Sequence, residues 1–241
     1  MEVNGELAID ERQFRARQDR LVFAYLVFRR AAPVPREELA NVVWPGEAPA
    51  AWEASLSALL SRLRALLASN GLTALGTTIS RGFGQYQLHL PGDAWVDLGA
   101  AASAVDEAEG ALRAGDPRRA FGPATVASTI ARRPFLAGDE GEWIDSQRRK
   151  LRRQLLRALD CLAEIWLSTG EPVLAVEAAA EAVGIDPVRE SSHRLLMRAH
   201  TAAGNTAESV KSYHRLRELL AEELGTDPSA ETEALYMELL S

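Results

Sequence analysis

Leucines in residues 50–68 repeat with the period of one helical face. They stand three, four and seven positions apart, at Leu56, Leu59, Leu60, Leu63, Leu66 and Leu67. At about 100° per residue, the opposite face carries small residues, with two arginines and a serine at its flanks: Ala54, Ala58, Ser61 and Ala65, then Ser57, Arg62 and Arg64. The pattern predicts an amphipathic helix whose small, uncharged outer stripe can lie close against another surface. Without its neighbours in sequence, it is typical of an ordinary amphipathic helix.

Two elements are predicted upstream of this helix. Residues 2–9 alternate loosely in hydropathy around Asn4-Gly5 and indicate a short strand or hairpin. Residues 19–31 are strongly apolar and predict a buried helix that Asp19 caps and that Pro33 ends.

A second short helix and a hairpin flank the leucine helix. Pro35, at a first helical position, opens a helix that stops at Trp44-Pro45-Gly46. The leucine helix ends at Asn70-Gly71, a typical left-handed cap. Residues 77–88 alternate around two glycines and predict a β-hairpin. Three helices closed by a hairpin are the winged form of the helix-turn-helix, which places one helix in the major groove of DNA.

After Pro91-Gly92-Asp93 the chain is predicted to be helical to its end, and it repeats itself. Three segments share a glycine, four intervening residues and a small residue; they run from Gly115 to Ala120, from Gly170 to Ala175 and from Gly204 to Ser209. The last two glycines are 34 residues apart, the tetratricopeptide period. The glycine allows a tight turn between paired helices, and the small residue lets them approach closely. We therefore predict a winged helix over residues 1–90, followed by tetratricopeptide-like hairpins over residues 93–241.

Composition agrees with a mainly α fold with a small β component. Hydrophobic residues make up 47% of the chain, and alanine and leucine dominate. The single Cys161 excludes a disulfide framework and a multi-cysteine metal site, so a reducing cytoplasm is expected. No apolar run reaches membrane-spanning length, and the amino terminus lacks a signal pattern. We expect a cytoplasmic protein that has no membrane partner.

The net charge is distributed unevenly along the chain. Of the formal −7, residues 1–90 contribute +1, from ten Arg and Lys against nine Asp and Glu. Residues 91–241 contribute −8, from 17 against 25. Strong non-specific affinity for DNA is therefore not expected.

Six segments carry a resemblance to a known family. The first four, in this order, resemble the OmpR-type winged helix of the SARP regulators, the antibiotic regulatory protein-type activators. The last two resemble the start and the end of the bacterial transcriptional activator domain that follows it in these regulators. They are residues 17–26 (RQDRLVFAYL), 34–45 (VPREELANVVWP), 56–64 (LSALLSRLR), 80–88 (SRGFGQYQL), 141–157 and 215–228. The family usually opens with a fuller set of strands, so either the true start lies upstream of Met1 or this chain has a smaller sheet.

The resemblance implies a DNA-binding transcriptional regulator, with activation the expected mode. Arg62 and Arg64, with Ser57 and Ser61, would face the major groove or its phosphates. Arg81 would hold the wing on a phosphate or in the minor groove, and Trp52 would contact the DNA backbone. The helical-repeat domain would form a homodimer and contact RNA polymerase at promoters with direct repeats. No Walker loop, nucleophile elbow or metal-ligand set occurs in the sequence, so we expect neither an enzyme nor a bound cofactor or metal.

Other interpretations of the same residues stay open. Arg81 is equally compatible with a solvated loop. Six basic residues within positions 148–157 indicate a solvated helix face balanced by upstream acids, or else a contact with DNA phosphate or an acidic partner. The rival hypothesis for the whole chain is a protein-interaction module whose winged helix has lost sequence-specific DNA binding. A third hypothesis, a small signalling ligand in the repeat groove, has no motif behind it.

Overall fold

The two halves of the chain have separate hydrophobic cores. A computed structural model describes residues 2–3, 6–7 and 9–240, and it divides into two compact units. The first unit comprises Met1–Trp95 and Leu136–Ser146, and the second comprises Val96–Phe135 and Gln147–Ser241. Helices dominate both units, and the strands among the described residues are short and lie in the first. The predicted fold class, mainly α with a small β component, is confirmed.

The first unit contains three helices and a small three-stranded sheet. The helices are α1 (Arg17–Phe28), α2 (Arg36–Val43) and α3 (Trp52–Ser69). Two short strands precede them, β1 (Glu2–Val3) and β2 (Glu6–Leu7), which pair antiparallel; a 3₁₀ turn follows at Glu11–Gln13. The predicted Asn4-Gly5 turn lies outside the described residues. The sheet has the order β3–β5–β4, with strands at Val34–Pro35 (β3), Thr78–Gly82 (β4) and Gln85–His89 (β5).

The leucine face of α3 forms the centre of this unit. Five of its six predicted leucines are at most 2% exposed and pack in one cluster: Leu56, Leu59, Leu60, Leu63 and Leu67. The sixth, Leu66, is half-buried and packs against that cluster. The cluster also includes residues of α1, α2 and the hairpin. Burial of a leucine side chain contributes about 1.5–3 kcal/mol, so this face holds the three helices and the sheet together. The amphipathic helix predicted over residues 50–68 is confirmed.

The helix α1 begins two residues before the predicted cap. The helix begins at Arg17 rather than Asp19, so Asp19 occupies its third position. From there the Asp19 carboxylate accepts a hydrogen bond from the backbone N–H of Ala16, over 3.2 Å. Asp19 therefore satisfies an unpaired N–H group at the helix start from inside the helix, as an acid at the third position of a capping box does.

Pro35 does not open α2. It lies in β3 and pairs with Gln85 of β5, and α2 begins one residue later. The prediction was wrong because β3 was not recognised: two residues carry no periodicity, and its pairing partner lies about fifty residues away. Since β3 is at the edge of the sheet, the N–H group that proline lacks is not needed there.

The predicted hairpin at residues 77–88 is confirmed, with its turn at Phe83-Gly84. Gly82 pairs with Gln85, so the loop has two residues, and both have positive φ, 50° at Phe83 and 75° at Gly84. Positive φ at both loop residues is the requirement of a type I′ turn, whose twist matches that of the strands. For phenylalanine this conformation costs about 1–2 kcal/mol.

The second unit is entirely helical among the residues described. Its helices are α4 (Asp97–Arg113), α5 (Pro117–Ala131), α6 (Glu142–Thr169), α7 (Pro172–Ile185), α8 (Glu190–Ala202), α9 (Thr206–Leu224) and α10 (Ala230–Leu239). Residues Glu142–Ser146 of α6 belong to the first unit and the remainder of that helix to the second. Buried alanines of α4, α5 and α7 pack with leucines of α6 and α8 in one core.

The predicted repeats coincide with helix turns. The glycines Gly115, Gly170 and Gly204 adopt φ of 74°, 81° and 77° and stand between α4 and α5, α6 and α7, and α8 and α9. The small residue five positions after each glycine is completely buried: Ala120, Ala175 and Ser209. The helical hairpins predicted from this spacing are therefore present, and the small residues lie where the helices pack.

The segment Leu136–Ser146 is spatially part of the first unit, although it follows α4 and α5 in sequence. The Asp139 side chain, which is fully buried, accepts bonds from Arg17 and Arg20 of α1. The Trp143 ring lies edge-on to Tyr25, with ring centres 4.9 Å apart. A division of the chain at residues 90–93 assigns this segment to the second domain, whereas its contacts are with the first.

Candidate nucleic-acid interface

The outer face of α3 is open and lined by small side chains. Its exposed positions include Ala54, Ser57, Ala58, Ser61 and Ala65. Arg62 and Arg64 bracket this stripe, about 160° apart around the helix axis at 100° per residue. Neither serine hydroxyl has a side-chain hydrogen bond to another described residue, so both are available to an incoming surface. This outer stripe is the face of α3 that is predicted to contact DNA.

Arg62 is held by a buried carboxylate. Its Nε lies 3.1 Å and 3.2 Å from the two Asp19 oxygens, and its Nη2 lies 2.7 Å from Oδ1. The Asp19 side chain is 3% exposed and that of Arg62 is 35% exposed. The hydrogen bond to Asp19 raises the pKa of Arg62 above its ordinary value. Arg62 thus ties α3 to α1, and its Nη1 is the nitrogen left without a hydrogen-bond partner among the described residues.

Arg64 is anchored on the other side of the stripe. Its Nε donates to the carbonyl oxygen of Ile79 in β4, over 3.0 Å. This bond ties α3 to the hairpin, and both Nη atoms stay without a partner in the part of the chain that the structure describes. The two arginines that bracket the stripe are therefore both fixed by bonds inside the unit, and each keeps at least one donor without a partner among the described residues. Fixed donors lose less side-chain entropy when they bind.

The hairpin, which forms the wing, carries Arg81 and Phe83 near its tip. Arg81 is exposed, and its guanidinium carbon lies 5.9 Å from the ring centre of Tyr86, its cross-strand partner. Phe83 occupies the turn itself and its side chain is 109% exposed, the fully accessible value. The wing therefore presents one cation and one aromatic ring to solvent.

Trp52 begins α3 and is half-buried rather than free. The guanidinium carbon of Arg36 lies 5.8 Å from its ring centre. Arg36 also pairs with Glu37 at 2.8 Å and with Glu53 at 3.3 Å, and the bond to Glu37 raises the pKa of Arg36. The Trp52 edge at the start of α3 is thus part of a small ion-pair cluster. The sequence pattern gave no indication of Arg36 as a neighbour of this site.

The charge of the first unit is more negative than that of residues 1–90. Residues 1–95 carry ten basic and ten acidic side chains, and Leu136–Ser146 adds four acids: Asp139, Glu140, Glu142 and Asp145. The unit therefore has a formal net charge of −4. Because non-specific DNA affinity depends on the number of phosphates neutralised, a unit of this charge is expected to have little of it.

The basic run in α6 is partly used inside the second unit. Arg157 pairs with Asp106 and Glu109, at 2.6 Å each, and these bonds raise the pKa of Arg157. Arg148 Nε donates to the carbonyl oxygen of Phe135 over 3.2 Å, and Arg152 donates to that of Ile185. These three arginines therefore bind groups of their own unit, consistent with a structural role for this part of the run.

The described part of the chain contains neither a metal cluster nor a helix that could span a membrane. Among the residues described, no three His, Cys, Asp or Glu side chains are grouped to hold a metal ion. Within the same residues, no helix is long and apolar enough to cross a bilayer. His193 on α8 is completely buried, and its Nε2 donates to the carbonyl oxygen of Pro187 over 2.9 Å.

The chain is similar to a family of bacterial transcriptional activator domains and to regulatory proteins that match it over most of its length. The family model of the bacterial transcriptional activator domain matches residues 96–240. Two regulators are similar along 92% of the chain: regulatory protein AfsR of Streptomyces griseus, 30% identical, and transcriptional regulatory protein MoaR1 of Mycobacterium tuberculosis, 27% identical. The chain spans 22% of the length of AfsR and 72% of MoaR1. A structure of Mycobacterium tuberculosis EmbR in complex with a low-affinity phosphopeptide shares the fold, with a TM-score of 0.84 at 22% identity, over 100% of this chain and 62% of that one.

Proposed function

Since the chain belongs to the bacterial transcriptional activator domain family, we propose that it is a DNA-binding transcriptional regulator of the SARP type, acting as an activator. Its winged helix binds promoter DNA through α3 and the wing. The regulators AfsR and MoaR1 resemble it along both units, which supports one regulatory function for the whole chain.

The observation that carries the proposal is the open outer stripe of α3. The major groove is about 12 Å wide and a helix with its side chains about 10–12 Å across, so a helix fits best when its outer side chains are small. Those of α3 are alanines and serines, and they are exposed. The leucines opposite are buried in the core, so α3 can present this stripe without exposing apolar surface.

Each candidate residue has a role in this arrangement. Ser57 and Ser61 lie on the stripe and contact base edges, because a hydroxyl both donates and accepts hydrogen bonds. Arg62 and Arg64 bind phosphates through the Nη atoms that their internal bonds leave outward. A base contact by the whole Arg62 fork would require it to leave Asp19, which costs about 2–3 kcal/mol for a pair whose arginine is 35% exposed.

Arg81 and Trp52 lie at the two edges of the interface. Arg81 reaches a phosphate or the minor groove from the wing, and its guanidinium group is exposed for that contact. Trp52 contacts the DNA backbone from the start of α3, where backbone N–H groups also attract phosphate.

The helical-repeat unit forms the homodimer and contacts RNA polymerase. The first unit has a net charge of −4, so a single copy neutralises few phosphates. Two copies joined on direct repeats combine their affinities through effective concentration. A dimer thus raises the DNA affinity of a winged helix that carries little positive charge.

One observation favours the rival function, a protein-interaction module. The Arg62 fork is occupied by Asp19, and the small stripe suits close packing of another helix as well as a groove. In that case the stripe would bind a protein, and DNA binding would be weak and independent of sequence.

Fluorescence anisotropy with the purified chain separates the two functions. The duplex from the protein's own upstream region is compared with a scrambled duplex at two salt concentrations. We expect tighter binding of the native duplex, and a loss of part of this preference in Ser61→Ala. Arg64→Ala should weaken binding of both duplexes and lower the salt slope by about 1, as expected for one phosphate contact.

Arg30→Ala is the matched control, because Arg30 is exposed, lies just after the end of α1 and hydrogen-bonds to the carbonyl oxygen of Val27 in that helix. It removes one charge from the same unit away from α3. DNA reading would be refuted if the wild type binds both duplexes equally weakly and loses this binding at high salt, and if Arg64→Ala and Arg30→Ala have the same affinity as each other. That result would favour the protein-interaction module.

A further inference from the structure

The tip of the wing carries a large apolar side chain in an unusual conformation. Phe83 is completely exposed, has φ of 50°, and makes no ring contact with a described residue. Asparagine, aspartate and glycine are the residues that adopt this conformation readily, whereas a bulky side chain there is an outlier. Neither packing nor turn geometry therefore explains a phenylalanine at this position.

One cation and a fixed backbone lie next to Phe83. Arg81 stands two residues before it on β4 and has no carboxylate partner among the described residues. The two-residue turn, the pairing of Gly82 with Gln85 and the bond from the Arg36 backbone N–H to the carbonyl oxygen of Gly84, over 3.1 Å, hold the Phe83 backbone at the end of the ribbon. An exposed apolar group beside an exposed cation suits a polyanion that also has an apolar interior, such as duplex DNA.

A single side chain at the tip can reach into the minor groove. That groove is about 6 Å wide and about 7.5 Å deep, so it has room for one ring but not for a helix or for the two paired strands behind the turn. Proteins that bind this groove commonly insert an apolar side chain between base pairs, which unstacks the step and bends the duplex. A first unit with a net charge of −4 gains most from a contact of this kind, because it does not depend on charge.

We propose that Phe83 is an apolar wedge that enters the minor groove beside the α3 site and opens one base step. This inference rests on the proposed DNA-binding function. Flexible pyrimidine–purine steps are the preferred place of insertion, because they unstack most easily.

The test compares wild type with Phe83→Asn on native and scrambled duplexes. Asparagine tolerates positive φ, so the turn is kept and the thermal unfolding temperature should stay equal or rise. Leu75→Asn is the matched control: Leu75 is 51% exposed and precedes β4 at the end remote from the tip. Adenines flanking the bound site are replaced one at a time by fluorescent 2-aminopurine, which brightens when it unstacks.

We expect Phe83→Asn to bind the native duplex about ten-fold more weakly at every salt concentration, a change of about 1.4 kcal/mol, with an unchanged salt slope. Wild type and Leu75→Asn should brighten 2-aminopurine at one flanking step, and Phe83→Asn should not. If Phe83→Asn binds more weakly and does not brighten 2-aminopurine, but still prefers the native duplex over the scrambled one, the proposed function holds and the lost affinity belongs to the wedge. Wild-type affinity and brightening in Phe83→Asn would overturn the wedge, and a wild-type protein that does not distinguish the duplexes would overturn the proposed function with it.

Discussion

Replacement of Arg62 by alanine tests whether the internal ion pair holds α3 in place. The Asp19 side chain is 3% exposed and receives three close contacts from the Arg62 fork, besides one from the Ala16 N–H group. In Arg62→Ala the carboxylate keeps the backbone bond and loses its counter-ion. We expect the first unit to be destabilised, although Arg62 lies at the edge of the proposed DNA-binding face.

The size of the effect follows from burial. Removing one partner of a fully buried ion pair costs about 3–5 kcal/mol. Since the Arg62 side chain is 35% exposed, water enters the space it leaves and solvates part of the carboxylate. We therefore expect about 2–3 kcal/mol for Arg62→Ala. Asp19→Asn keeps an acceptor for the Ala16 N–H group, so we expect about 1 kcal/mol.

The double variant separates the pair from its surroundings. With both changes no unpaired charge is buried, so the loss in Arg62→Ala/Asp19→Asn should be smaller than the sum of the single losses by at least about 1 kcal/mol. Urea unfolding of the whole chain is followed by tryptophan fluorescence, because Trp44, Trp52, Trp95 and Trp143 lie in the first unit. The transition of that unit is fitted separately, since a chain with two units need not unfold in one step.

Arg81→Ala is the control, because Arg81 is exposed and stacks on Tyr86 without a carboxylate partner among the described residues. It should change stability by less than about 0.5 kcal/mol. Arg62→Ala as stable as Arg81→Ala, or a double variant whose loss equals the sum of the single losses, would refute the buried-pair reasoning. Arg62 would then be free to serve as a base-reading residue.

Three further results are expected from buried groups. Burial and the bond to Glu38 raise the pKa of Tyr25 to about 12, so the first unit should lose stability between about pH 10 and pH 12, where the unfolded chain ionises first; Tyr25→Phe should lack this loss in urea unfolding. Burial lowers the pKa of His193 from its ordinary 6.5, so the second unit should lose stability as the pH falls below 6.5, where the unfolded chain takes the proton first; thermal melts of His193→Gln should be less dependent on pH. Ala175→Leu, at a completely buried position, should destabilise the second unit by about 1–3 kcal/mol, and an unchanged circular-dichroism melt would contradict close helix packing there.

Elements with a strong local pattern were predictable from sequence. The leucine helix, the hairpin and the glycine-started repeats are set by spacing and by residues with special backbone freedom, which act over a few positions. Buried Leu60 and Ala175 are examples, since both are completely covered, as their spacing indicated. The small stripe of α3 was predictable for the same reason, because one face of a helix determines the other.

The partners of the charged side chains became known only from the tertiary structure. The helix spacing puts Arg62 at the edge of the small stripe, but it gave no indication of the bond to Asp19, 43 positions away. The segment around Asp139 was expected in the helical repeats, and it binds Arg17, 122 positions away, in the first unit. A long, flexible side chain has several partners within reach of its own helix. Which of them it meets is decided by chain packing, and spacing along a helix carries no information about a carboxylate on a different one.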